Sequence, residues 1–188
     1  NISKLNKIEW NNTNLGIVLF IIGFFKKVFF ANHFGNVVDT YFLQISDGNS
    51  IDSIHIWYLT YNFALQIYFD FSAYTDMALG LGLLIGIKLP INFNSPYKSI
   101  NIIEFWRSWH ISLSLFFRDY LYIPLGGNRN KFYVKFFIIV FVMTVAGLWH
   151  GASWTFLIWG FIHGLYLGLT HLIIKYKNLN IFQRLLDH

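Results

Sequence analysis

From Phe136 to Ile174 the chain runs for 39 residues without a single Asp, Glu, Lys or Arg, and its only ionisable side chains there are His150, His163 and His171. A helix needs about 20 mostly apolar residues to cross a bilayer. The run is therefore too long for one span and sufficient for two joined by a tight turn. Gly147-Leu-Trp-His-Gly-Ala-Ser153 interrupts it with two glycines and a serine, which places the turn there. The rest of the chain agrees with a membrane setting. Only 12% of the residues are charged, against about 25% in soluble domains, and 55% are hydrophobic, the opposite of a disordered composition. The absence of cysteine excludes a disulfide scaffold, a Cys-ligated zinc and a thiol nucleophile. The net charge of +5 does not point to nucleic acid, because the basic residues are few and dispersed among apolar runs; it reflects membrane topology.

Two further stretches have the same character. Ser53 to Ile87 carries only Asp70 and Asp76 as charges, and Leu15 to Phe34 is apolar except for Lys26, Lys27 and His33. The expected architecture is all-α: a polytopic membrane bundle in one domain over 1–188, with membrane segments at 15–34, 53–87, 136–150 and 153–174. Residues 88–135 form a cytoplasmic or interfacial region. Loop charge sets this orientation. Lys88, Lys98, Arg107, Arg118, Arg129, Lys131 and Lys135 are half of all the bases, whereas 35–53 holds Asp39, Asp47 and Asp52 and no base. Basic loops stay inside, so 88–135 is predicted inside and 35–53 outside, with Lys175, Lys177 and Arg184 returning the tail inside. The chain opens on Asn1 rather than Met, which leads to the expectation of a fragment of a longer protein.

Two lengths are informative. As continuous helix, 53–87 would run about 50 Å against a hydrocarbon core of about 30 Å, which predicts a break at Asp70-Phe-Ser-Ala-Tyr-Thr-Asp76. From Lys135 to His150 a helix reaches only about 22 Å, so His150 is expected at membrane depth. Gly160, Gly164 and Gly168, and again Gly82 and Gly86, recur every four residues as small-residue stripes that let helices approach closely in lipid.

Ionisable groups at membrane depth are costly and tend to face cavities. His150, between Trp149 and Trp154 and beside Gly151, Ala152 and Ser153, is the first candidate: burial keeps an imidazole neutral and able to accept a proton. A histidine merely hydrogen-bonded between helices fits the same composition. His110 lies in a stretch that reads as one amphipathic helix over 106–120. One face carries Trp106, Trp109, His110, Leu113, Phe116, Phe117 and Tyr120, and another Arg107, Ser114 and Arg118. This pattern by itself favours membership of an aromatic interfacial belt for His110, and Arg107 and Arg118 can meet an anionic donor, although snorkelling to head groups is the default for such residues. Asp70 and Asp76 are six apart, on different faces of an unbroken helix. They either accept hydrogen bonds from a broken backbone and nearby tyrosines or bind an ion, as in a transporter with discontinuous helices. There is no Walker loop, no HExxH and no histidine pair with zinc spacing, so no metal site is expected.

Longer text carries a resemblance. Trp106-Arg-Ser-Trp-His-Ile-Ser-Leu-Ser, followed by Phe117-Arg-Asp-Tyr-Leu-Tyr-Ile-Pro-Leu-Gly-Gly-Asn128, resembles the core of the membrane-bound O-acyltransferase family, in its bacterial polysaccharide O-acetyltransferase branch. Tyr68-Phe-Asp-Phe-Ser-Ala-Tyr-Thr-Asp-Met-Ala78, Asn92-Phe-Asn-Ser-Pro-Tyr97 and Gly147-Leu-Trp-His-Gly-Ala152 are similar to that branch in order and spacing, with Ala73 and Ser108 as departures. The resemblance covers roughly 15–170. It implies a multi-helix bundle of which this chain is a part, with a central tunnel in the bacterial inner membrane, and acyl transfer from a cytoplasmic donor to a hydroxyl outside. It implies His150 as general base and His110 as the second family histidine, orienting the donor or stabilising developing charge on the carbonyl oxygen. Trp106, Arg107, Trp109, Arg118, Trp149, Asp70 and Asp76 are the accompanying tunnel or substrate candidates. Acetyl-CoA is the implied donor, with no tightly bound cofactor. A cell-envelope polysaccharide such as peptidoglycan or an alginate-like polymer is the implied acceptor, with a separate periplasmic transferase as a partner. The alternative of another class is an ion-coupled transporter using Asp70 and Asp76.

Overall fold

The computed structural model describes residues 10–129 and 131–186. Every regular element among them is helical. The chain, read from sequence as one domain, divides into two compact units, Asn1–Asn92 and Phe93–His188. Three helices among the described residues are long and apolar enough to cross a membrane: Asn12–Ser46, Tyr133–His150 and Trp154–Tyr176.

In the first unit, α1 (Trp10–Phe25) passes through a π-helical stretch, Lys26–Ala31, into α2 (Asn32–Ser46) without leaving the helix. The apolar segment expected at 15–34 thus belongs to a longer rod, and the loop expected over 35–53 shrinks to the residues after Ser46. Helix α3 (Ser53–Leu84) returns along the rod. Asp52 caps it, its carboxylate accepting the His55 backbone N–H at 2.9 Å. Glycines set the approach of the helices. A Cβ on Gly16 would stand 2.8 Å from the Gly80 carbonyl oxygen, and one on Gly23 would stand 2.7 Å from that of Ala73.

The predicted break at 70–76 is absent, and α3 runs unbroken for 32 residues, about 48 Å. The segment contains neither Gly nor Pro. Its hydroxyls bond back onto their own helix, Ser72 to the Phe69 carbonyl and Thr75 to that of Ser72. The irregularity sits instead on the facing rod, in the π-helical stretch. Nor does α3 join the three most apolar helices, because Asn62, Gln66, Asp70 and Asp76 lie along it. The Gly82/Gly86 spacing is likewise not an interhelical stripe but a stop. Gly86 has φ +77, the Ile87 N–H reaches the Gly82 carbonyl at 2.7 Å, and the Gly86 N–H reaches that of Leu83 at 3.2 Å, a Schellman termination.

In the second unit, α6 (Phe132–His150) and α7 (Trp154–Leu186) form the expected hairpin about a turn at 151–153. The Gly160, Gly164 and Gly168 stripe faces α6. A Cβ on Gly164 would stand 2.8 Å from Val140 Cα, and one on Gly168 would stand 2.7 Å from the Phe136 ring. Against the hairpin lie two short helices, α4 (Ile102–Ser108) and α5 (Ile111–Phe117), the second running into a π-helical turn at Arg118–Tyr122. The single amphipathic helix expected over 106–120 is therefore cut at His110. Its two halves serve different partners. Leu113, Phe117 and Leu121 pack with Ile138, Val142 and Ala146 of α6. Trp109 instead packs with Phe93, Tyr97 and Phe105. A straight helix could not present one face to both.

Candidate active site

His110 stands at the cut with φ +41 and ψ +58, the left-handed region that few non-glycine residues occupy and that concentrates at functional sites. The Ser114 hydroxyl spans the break, within hydrogen-bonding reach of the Trp106 and Trp109 carbonyls at 3.2 and 3.4 Å. This turn brings His110 to the end of α6, where the Trp149 ring neighbours both candidate histidines. Its ring centre is 6.1 Å from that of His110 and 5.2 Å from that of His150. His150 is the last residue of α6. Phe156 and Trp159 of α7 frame it at 6.1 and 5.5 Å, the Trp159 ring at 90° to the imidazole. Burial first, and then the neighbouring His150, push the His110 imidazole down to about 4, so it is neutral at pH 7.

Both histidines line one cavity of about 410 Å³ inside the second unit. Trp106, Arg107, Trp109 and Arg118 line it too, so these six predicted residues converge from α4, the His110 turn, the π-helical turn at Arg118 and α6. Trp149 touches both imidazoles by its ring but is not part of the wall. Asp70 and Asp76 belong to the first unit, where each is paired with a lysine. Asp76 accepts from Lys26 at 2.6 Å and Asp70 from Lys27 at 2.5 Å. With the helix continuous and both carboxylates paired to lysines, neither the discontinuous-helix ion site nor hydrogen bonding to a broken backbone survives as their role.

The cavity also contains residues that the sequence did not single out. Lys135 and His171 line it, and His171 lies within electrostatic reach of Lys135 and Arg107. Trp159 forms part of its wall, and Tyr122 donates to Asn128 at 2.9 Å beside it. His163 sits behind the wall, 4.7 Å from the Trp159 ring and 5.4 Å from that of Trp106. The indole N–H of Trp106 is buried there with no hydrogen-bond partner among the described residues. A signal existed: Trp159, His163, Leu167 and His171 recur every four residues and share one side of α7.

The model of the membrane-bound O-acyltransferase family matches residues 2–185. The peptidoglycan O-acetyltransferase of Helicobacter pylori is 48% identical over 162 residues, 86% of this chain and 30% of that protein. The probable alginate O-acetylase AlgI of Azotobacter vinelandii is 49% identical over 154 residues, 82% of this chain and 30% of that protein. The teichoic acid D-alanyltransferase of Streptococcus thermophilus is 32% identical over 167 residues, 84% of this chain and 40% of that protein. The chain thus spans about a third of the length of the curated relatives it matches. A helical membrane protein with two histidines on one cavity, matched by the family model over nearly its whole length, belongs to the membrane-bound O-acyltransferase family.

Proposed function

We propose that the protein is an O-acetyltransferase of the bacterial inner membrane, moving an acetyl group from cytoplasmic acetyl-CoA to a hydroxyl of a cell-envelope polysaccharide or of a periplasmic partner transferase. The observation that carries this reading is the single cavity shared by His110 and His150. His150 acts as general base: its free ring nitrogen takes the acceptor hydroxyl proton as the oxygen attacks the acetyl carbonyl. The carbon–sulfur bond then breaks and CoA leaves as the thiolate. Such assistance contributes typically about 10²–10⁴-fold. His110, neutral at pH 7, has one ring N–H to donate to the carbonyl oxygen as charge develops there. Arg107 and Arg118 face the donor from the basic 88–135 region, which this reading places in the cytoplasm. Trp106 and Trp109 supply cavity wall, and Trp149 holds the two imidazoles in register.

The test uses the full-length protein. His150→Ala is expected to reach the membrane in normal amount and to lose transfer of labelled acetate to the wall or exopolysaccharide fraction. Wild-type acetylation in that variant refutes the general-base role.

A further inference from the structure

Beside the histidine cavity is a second, smaller and polar cleft of about 230 Å³, between the 94–99 loop and α4. Its loop is built to hold a shape. Ser95 takes a left-handed conformation (φ +47, ψ +56) and opens a 3₁₀ turn at Pro96–Lys98, with Pro96 buried beneath it. The Lys98 N–H closes the turn onto the Ser95 carbonyl at 3.0 Å, and the Asn94 N–H ties the loop to the Ser108 carbonyl, also at 3.0 Å. Three hydroxyls, of Ser95, Ser99 and Ser108, line the cleft with Lys98 and Arg107. The one acid, Glu104, is engaged: its carboxylate accepts from the Asn101 side-chain amide at 2.9 Å and from the Ile100 N–H at 3.3 Å. Neither Lys98 nor Arg107 forms an ion pair among the described residues. Arg107 lines both the cleft and the histidine cavity.

We infer that this cleft is a phosphate subsite, in which Lys98, Arg107 and the three serine hydroxyls hold a phosphate-type anion next to the reaction cavity. A guanidinium fork, a point ammonium and hydroxyl donors are the groups that phosphate oxygens accept from, and a strained, anchored loop keeps them in place without a ligand. Two cations against one engaged carboxylate leave the cleft net positive. The anion has two possible sources, a phosphate of the donor or the head group of an anionic lipid. The first rests on the donor reading above and the second does not.

The test begins with wild-type full-length protein in detergent, so that folding of a variant is not at issue. Lys98 is acetylated with an amine-reactive ester and its rate is followed by peptide mass spectrometry, with exposed Lys88 as the internal control. Pyrophosphate is expected to slow Lys98 at least threefold and to leave Lys88 unchanged. Equal rates at Lys98 with and without pyrophosphate overturn the subsite. Two arms then separate the sources, each supporting the site by a different route. If the donor supplies the phosphate, Lys98→Ala raises KM for acetyl-CoA about three- to tenfold at unchanged kcat and leaves KM for acetyl-pantetheine, which has no phosphate, unaltered. If lipid supplies it, Lys98 is protected in phosphatidylglycerol nanodiscs and not in phosphatidylcholine ones, with both KM values unmoved. Wild-type protein that turns over neither thioester refutes the donor reading, while the pyrophosphate experiment still decides the subsite.

Discussion

The pairing of Lys26 with Asp76 makes a quantitative demand on the first unit. The ammonium and carboxylate are 2.6 Å apart, with 27% and 21% of their side chains exposed. At an effective dielectric of about 20, that separation gives roughly 6 kcal/mol of attraction before desolvation is counted. Removing one partner of a buried pair costs about 3–5 kcal/mol, because the survivor is left charged in an apolar setting. Partial exposure here argues for the lower end, about 3 kcal/mol, or roughly a 150-fold change in the folded-to-unfolded ratio. Replacing both partners by leucine removes the attraction and the desolvation together, so Lys26→Leu with Asp76→Leu is expected within about 1 kcal/mol of wild type. The coupling energy of the cycle is then about 5–7 kcal/mol. The full-length protein would be unfolded in mixed micelles by raising the mole fraction of dodecyl sulfate, followed by tryptophan fluorescence. A double variant as unstable as Asp76→Leu alone, or an Asp76→Leu variant as stable as wild type, refutes the reasoning.

Other outcomes follow from the same geometry. His110 is held at about 4, below its ordinary value, so its neutral form should persist well into acid. Its carbethoxylation rate in the full-length protein should therefore fall with a midpoint near pH 4; a midpoint near 6.5 refutes the perturbation. Because the folded value is depressed, this group destabilises the folded state progressively as pH drops from about 6.5 towards 4, and not above that window. His163 contacts the rings of Trp106 and Trp159. His163→Phe should retain thermal stability in detergent, while His163→Ala loses about 1–3 kcal/mol from the two ring contacts; equal behaviour of the two removes the stacking role. Single cysteines at Ser46 and Lys131, both exposed, test the orientation of the chain. An impermeant thiol reagent on intact cells should label position 46 and spare 131, and the reverse pattern inverts the topology.

Span lengths and the α6–α7 turn were legible in the sequence because they depend on local quantities, namely how many apolar residues occur in a row and where glycine interrupts them. The glycine stripe of α7 was legible for the same reason, since a period of four marks one helix side whatever packs on it. The break expected in α3 was an inference from length alone. It failed because polar groups 50 and 43 residues away, Lys26 and Lys27, neutralise Asp76 and Asp70 and let the helix stay whole. His110 shows the converse. The stretch 106–120 has good helical periodicity, yet Trp109 and Phe117 are drawn to different partners, and the chain turns through a left-handed histidine to satisfy both. Periodicity records which residues share a side of a helix and is blind to what lies opposite. Hence the sequence by itself determined that the chain is helical and membrane-bound and which histidines were candidates. Only tertiary packing decided that His110 and His150, forty residues apart, share a cavity, and that the two aspartates each pair with a lysine from a facing helix.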